Sequence, residues 1–501
     1  MPDLGDNLGA LLGYTACVKA KEGFFMSRDI PNRETSRTVS FRKITESFLT
    51  CKGLPFDKVL SEEKIVDIFS KHNNLFAANG IYSTAVVLWA FLGQALRDGK
   101  EASCQFAVSC IIDFCLLNNR AAPTQDTGVY CVAREKLSER ALRELSGEVA
   151  NELEAAAEAT WLWKDFHPML IDGFNFTMPD TPENQAAYPQ SKSQEPGIGF
   201  PIARAVAIVS LATAAVMNVA IGPYAGKETG ENALLRAMLS TLKPNNLAVM
   251  DRYYCSYMML ALLLNQGTHS CARKHHLRVS DFRRGHRLSK HDHIVIWTRP
   301  QRPQWMSEEL YAQIPETLEL REVRFNIIVP GRRTHSLDII TTLIDADEYT
   351  KEDIAELYGF RWNAELDIRS IKSNLNLKHV RCKSPEMVRR ELWTTILAYN
   401  LIRSTAASAA TLHGKKPRQI SFTSTCQFVL SSWSLIANGS VETSKLAEFI
   451  LHKLKEIAAC VVGNRPGRIE PRVIKRRRDN AYQLMRKPRA VLRAELRKQC
   501  T

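Results

Sequence analysis

The sequence predicts an α/β protein: a core of short buried strands and helices, preceded by an all-helical segment and followed by a helical, basic C-terminal region. Two observations carry this reading. Apolar residues up to Trp163 recur at helical spacing. From His167 they fall into short runs broken by turn residues, and long helical periods return from Lys351. Composition agrees: 45% hydrophobic and 24% charged residues over 501 positions is globular, with room for a substantial core.

Residues 1–40 are polar and aperiodic, reading as a flexible arm. Over 41–163, FRKITESFLTCKGL, SEEKIVDIFSKH, YSTAVVLWAFLGQALRDG, EASCQFAVSCIIDFCLLN and REKLSERALRELSGEVANELEAAAEATW read as helices of one domain, with Ser61 and Ser138 as start residues. Over 164–267, HPMLID, RAVAIVSLAT, AVMNVAIGPY and NNLAVMD read as strands. KETGENALLRAMLSTLKP reads as a helix ended by Pro244, and CSYMMLALLLNQG as one closed by Gly267. Residues 268–348 are basic and then β-like, through HDHIVIWT, LELREVRFNIIV and HSLDIITTLI. Over 349–415, YGFRWNAELDIRSIKSNLNL (358–377) reads as one helix and EMVRRELWTTILAYNLIRSTAASAA as another. Residues 416–501 add a helix over 440–461 and a basic tail. The most lipid-like run, AVAIVSLATAAVMNVAI (205–221), is short, contains Asn218 and is rich in β-branched residues, so it predicts strands rather than a membrane span.

The formal net charge of +14 is uneven. Residues 271–302 hold nine Lys/Arg against two acids, and 464–501 hold thirteen against three, so the rest of the chain sums to about −3. Cations gathered in two blocks predict a polyanionic partner, nucleic acid first. Twelve cysteines without a CxxC pair, and a start without a basic n-region, predict a reduced, cytoplasmic protein. Cys255, Cys271 and His275 match no zinc-site spacing.

Asp172 follows the apolar run Met169–Ile171, and Asp251 follows Leu247–Met250. Carboxylates at the ends of buried strands face the crevice where α/β sheets keep their sites, and parallel neighbouring strands would bring these two together. Glu365 could add a third oxygen ligand. Three carboxylates suit Mg²⁺ or Mn²⁺, and two such ions about 4 Å apart serve in-line attack on a phosphodiester. The same residues also fit plainer roles: an Asp after a strand commonly caps a turn, and a Glu beside Arg and Lys is commonly a solvated ion pair. Asp180 is an alternative first ligand, whereas Glu228 and Glu231 read as opening a helix.

The helix beginning at Tyr358 favours the chemical reading. Offsets of 3, 7 and 14 residues place Arg361, Glu365 and Lys372 within roughly one 40° sector at about 100° per residue. A metal-binding Glu works best among cations that grip neighbouring phosphates, and Trp362 offers a ring on which an unstacked base could rest, or a core aromatic.

Tyr358-x2-Arg361-x3-Glu365-x6-Lys372 resembles the Y-R-E-K signature of the bacterial insertion sequence family 4 transposases, which are cut-and-paste DDE enzymes. LIDGFNFTMPDTPENQAAYPQ and AVMDRYYCSYMML are similar to the blocks around that family's two catalytic Asp residues, and GRIEPRVIKRRRDNAYQLMRKPR resembles a segment near its C-terminus. The resemblance implies an RNase H-like core in two parts, 164–267 and 349–415, split by a β-rich insertion over 268–348. It implies Asp172, Asp251 and Glu365 as the triad for two Mg²⁺ or Mn²⁺ ions, and Tyr358, Arg361, Lys372, Arg252 and Trp362 as DNA contacts. It further implies double-stranded DNA as partner (the element's terminal inverted repeats and a target), a homodimer holding two ends, end recognition by 41–163, and strand transfer through a hairpin intermediate. The alternatives are a host-adopted nuclease or recombinase of the same fold, and a catalytically dead DNA-binding regulator.

Overall fold

A computed structural model describes residues 60, 62–76, 80–117, 120–327, 335–375, 377, 380–437, 445–463 and 487–499. The arm over 1–40, the helix expected from Phe41, Ser61 and most of the basic tail lie outside these residues.

Among these residues five helices come first: α1 (Glu62–Lys71), α2 (Thr84–Ala95), α3 (Cys104–Leu117), α4 (Thr127–Glu135) and α5 (Glu139–Ala155). Side-chain oxygens of Ser83, Asp126 and Ser138 accept the orphan N–H groups at the starts of α2, α4 and α5. The α/β region then runs β1 (His167–Thr177), α6 (Pro182–Ala187), β2 (Ile202–Ser210), β3 (Val216–Pro223), α7 (Glu231–Arg236), β4 (Asn246–Met250), α8 (Tyr257–Asn265) and β5 (His269–Arg273). The basic and β-like segment supplies β6 (His286–Ser289), β7 (Asp292–Thr298), α9 (Glu308–Ala312), β8 (Thr317–Ile327) and β9 (His335–Thr341). The chain continues through α10 (Lys351–Gly359), α11 (Trp362–Asn374), α12 (Pro385–Leu412), α13 (Phe422–Ala437), α14 (Leu446–Ala459) and α15 (Arg489–Gln499).

The strands form one mixed sheet in the order β3-β2-β1-β4-β5-β9-β8-β7-β6. β1, β2 and β3 are antiparallel neighbours, while β4 and β5 run parallel to β1. The run 205–221 lies in β2, its turn and β3. The β-rich segment extends this sheet through β9 on β5 rather than building a separate one. Among the described residues, no helix is long and apolar enough to cross a membrane.

Strand alternation sorts the side chains onto two faces. Met169, Ile171, Ala248 and Met250 enter a core with α7 and α8. Leu170, Leu247 and Val249 enter another with Leu357, Tyr358 and Ala364 of α10 and α11. The largest core joins α2–α5, α12 and the β1–β3 end of the sheet, so the N-terminal helices pack on the same body as the strands. Buried Asn400 of α12 fastens that layer by accepting from Val216 N–H and donating to Val216 C=O.

Several expectations need correction. The helix expected over 227–244 shortens to α7 and a 3₁₀ turn at Leu239–Thr241. The helix expected over 358–377 is two, α10 and α11. They meet at Phe360 and Arg361, where N–H groups reach back three residues as well as four and the turn tightens. β5 is not evident from HSCAR, whose ends are polar, and α4 and α13 were not anticipated.

Candidate active site

The site forms where the parallel strands end. The last matched β1–β4 pair is Ile171 with Met250, and the next residues are Asp172 and Asp251. The aspartates are therefore neighbours across the sheet. Both follow residues of the α7/α8 core, so both project onto the opposite face, under α10 and α11. β1 does not end at Asp172, as the apolar run suggested, but continues against β2 to Thr177. Asp172 Oδ1 accepts from Gly173 N–H at 2.9 Å, and Asp251 Oδ1 from Arg252 N–H at 2.5 Å.

Glu365 sits in the first turn of α11, one residue after fully buried Ala364, which packs α11 on the sheet. Arg361 connects it to β1. Its Nη2 donates to Glu365 Oε1 at 3.0 Å, and its Nη1 lies 3.7 Å from Asp172 Oδ2. One guanidinium thus spans two of the three expected ligands, at 7% exposure. Burial pushes the Asp172 carboxyl up to about 7; Arg361 opposes this, while Glu365 and Asp251 add to it. Burial also disfavours the Arg361 cation, but Tyr358, Asp172, Asp251 and Glu365 together outweigh it and hold the guanidinium charged.

The Y-R-E-K stripe does not face solvent along its length. Tyr358 is buried at 4% exposure in the core beneath α10, so in this state its hydroxyl does not reach a phosphate at the surface. Arg361 is turned into the carboxylates. Lys372 is half-buried, its Nζ donating to Asn175 C=O on β1 at 3.0 Å. Trp362 and Arg252 are half-buried at the site's edge. Among the described residues, no three His, Cys, Asp or Glu side chains converge closely enough to hold a metal ion. Asp172, Asp251 and Glu365 are all carboxylates, the donor type that a hard divalent ion takes, and the Arg361 guanidinium lies between Asp172 and Glu365.

Other residues at the site were not singled out by the sequence. Glu231, expected only to open a helix, does begin α7, but its carboxylate lies against Gly173 and accepts from the Tyr254 hydroxyl at 3.1 Å. On α11, Asp367 is 1% exposed and takes Arg403 at 2.9 Å, Arg418 at 2.8 Å and the Tyr399 hydroxyl at 3.1 Å. Arg418 also donates to Ser210 and Leu211 carbonyls, so this buried cluster fastens the helix of Glu365 to α12 and to the end of β2. Because β1, β4 and β5 are parallel, the basic segment after Arg273 leaves the sheet at the carboxylate end. Its Arg283 and Arg284 side chains are 91% and 87% exposed, both paired with Asp281.

The profile of the Transposase DDE domain family matches residues 165–401, the stretch that carries all three acids. The transposase InsG for insertion sequence element IS4 of Escherichia coli (strain K12) is 28% identical over 405 residues, covering 78% of this chain and 85% of that protein. Both matches support an insertion sequence family 4 transposase. The transposase for insertion sequence element IS421 of Escherichia coli is 36% identical to this transposase over 64 residues, 13% of this chain and 17% of that one. A cryo-EM structure of the piggyBac transposase synaptic complex with hairpin DNA covers 85% of this transposase and 86% of its own chain, at a TM-score of 0.41 and 10% identity. That likeness is too distant to bear on chemistry.

Proposed function

We propose that this transposase is an active DDE enzyme that cuts its element from double-stranded DNA and joins it to a target, with Asp172, Asp251 and Glu365 as ligands for two Mg²⁺ or Mn²⁺ ions. The observation that carries the reading is the register of β1 on β4. It aligns two aspartates from distant sequence positions on one face, under the helix that bears Glu365. The antiparallel β1–β3 meander followed by parallel β4 and β5 supports an RNase H-like core. In this reading 164–267 and 349–415 are its two parts, 268–348 is the insertion, 41–163 recognises the element ends, and 416–501 adds backbone contacts.

A bound divalent pair would supply Lewis-acid activation of a water or 3′-hydroxyl and neutralise the leaving oxygen. The chain's own residues do the rest. Asp172 and Asp251 offer oxygens side by side because the strands that lead into them are paired in register up to Ile171 and Met250. Arg361 neutralises Asp172 and Glu365 in the metal-free state and, with divalent ions present, is free to meet a phosphate. Lys372, Arg252 and the exposed Arg283 and Arg284 grip the backbone through salt-sensitive contacts, and Trp362 receives an unstacked base. For Tyr358 the burial favours a supporting role beneath Arg361 over direct phosphate contact. Two copies hold two ends, and the second strand is cut through a hairpin.

The test is Mg²⁺-dependent cleavage of an end-labelled duplex carrying the DNA that flanks the gene. Wild type should nick it and yield a hairpin of doubled length on denaturing gels. Asp172→Asn, Asp251→Asn and Glu365→Gln should leave it intact while still binding it. Variants that cut as well as wild type would show the assigned chemistry to be wrong.

A further inference from the structure

We propose that Glu231 and Tyr254 are positioning residues for this reaction: a clasp on the back of the sheet that sets Asp251 against Asp172. The inference rests on the reading of these aspartates as the metal-binding pair. The need for a clasp follows from the ladder. Beyond Ile171–Met250, β1 goes on pairing with β2, but β4 has ended and no β1–β4 bond constrains the chain at Asp251. That chain turns at once, with Tyr254 N–H donating to Asp251 C=O at 3.1 Å and Cys255 N–H to Arg252 C=O at 3.2 Å.

The first turn of α7 grips both sides of this gap. The Glu231 carboxylate is packed on the residue after Asp172 so closely that a Cβ on Gly173 would lie 2.4 Å from Glu231 Cδ. The same carboxylate accepts the Tyr254 hydroxyl, three residues after Asp251. The next residue, Asn232, donates from Nδ2 to Tyr253 C=O at 2.7 Å. Tyr254 is fully buried, and its hydroxyl donates to Glu231 Oε2 at 3.1 Å. A phenol–carboxylate bond of this kind is charge-assisted and directional. It joins the segments bearing the two aspartates from the face opposite their side chains, where it cannot obstruct metal or DNA.

The experiment compares full-length wild type with Tyr254→Phe, Glu231→Ala, Glu231→Gln and a control, Leu260→Ala, which opens a cavity elsewhere in the same core. Two readouts are taken: amide hydrogen exchange over 251–255 without metal, and Mn²⁺ affinity by electron paramagnetic resonance of the free ion. Tyr254→Phe and Glu231→Ala should speed exchange and weaken Mn²⁺ binding about 10-fold, the usual effect of losing a partner that orients a ligand. Glu231→Gln keeps an acceptor for the hydroxyl and should resemble wild type. Leu260→Ala should lower the melting temperature at least as much, yet move neither readout. Wild-type exchange in Tyr254→Phe would overturn the clasp, and loosened exchange with unchanged Mn²⁺ affinity would reduce it to an ordinary packing contact. If wild type bound no Mn²⁺ that Asp172→Asn abolishes, the metal reading would fall, and exchange alone would decide whether the clasp holds the turn.

Discussion

Replacing Asp172 with asparagine should stabilise the metal-free protein at pH 8, although it removes a residue assigned to chemistry. Burial is the main cause that lifts the Asp172 carboxyl to about 7, from an ordinary value of 3.8. The folded chain therefore holds this proton more tightly than the unfolded chain. The associated stability is fully present below about pH 4, is lost as pH rises toward 7, and stays lost above it. A displacement of that size corresponds to about 4 kcal/mol at pH 8. Because the side chain retains 18% exposure, about 2 to 4 kcal/mol is the expected range. At about 2.1 cal/mol/K of unfolding entropy per residue, a cooperative chain of 501 residues gains roughly 2 to 4 °C. Asparagine cannot ionise, so Asp172→Asn should melt higher than wild type by that margin at pH 8 in EDTA, and by about two-fifths of it at pH 5. Calorimetry at the two pH values measures both. An equal or lower melting temperature at pH 8, or a gain independent of pH, would refute the reasoning. Excess Mg²⁺ should reverse the order by stabilising wild type alone.

Three further outcomes are expected. Gly173→Ala drives a methyl into the Glu231 carboxylate and should destabilise by about 1 to 3 kcal/mol, nearly all of it relieved in a Glu231→Ala background; a penalty unchanged there would place the strain elsewhere. Asp367→Ala takes the carboxylate from buried Arg403 and half-buried Arg418 and should lower stability by about 3 kcal/mol in denaturant unfolding, and a loss below 1 kcal/mol would mean the cluster does not anchor α11. Arg283→Ala and Arg284→Ala should each weaken DNA binding across sequences and reduce the slope of log affinity against log salt by roughly one; an unchanged slope would remove that loop from the interface.

The strand-end aspartates were legible because buried strands leave apolar runs, and a carboxylate after such a run is conspicuous. Their pairing was conditional on β1 and β4 being parallel neighbours, which no local pattern specifies. Glu365 was legible from its spacing to Tyr358, Arg361 and Lys372, but the direction of the stripe was not. Helical periodicity fixes which residues share a face, not whether that face meets water, and the tight junction at Phe360–Arg361 turns Tyr358 into the core and Arg361 into the acids. β5 was hidden because a five-residue strand with polar ends has no readable period. Glu231 stayed invisible for a different reason. Its partners, Gly173 and Tyr254, are 58 residues before it and 23 after it, and only the sheet brings them to one place.

Three carboxylates acting as one metal site are the central claim, and anomalous diffraction from crystals of the protein with duplex DNA and Mn²⁺ tests it most directly. The expected map has a Mn²⁺ peak shared by Asp172 and Asp251, a second contacted by Glu365, and the Arg361 guanidinium displaced from between Asp172 and Glu365. Mn²⁺ bound elsewhere, with Arg361 still bridging those two acids beside the DNA, would contradict it.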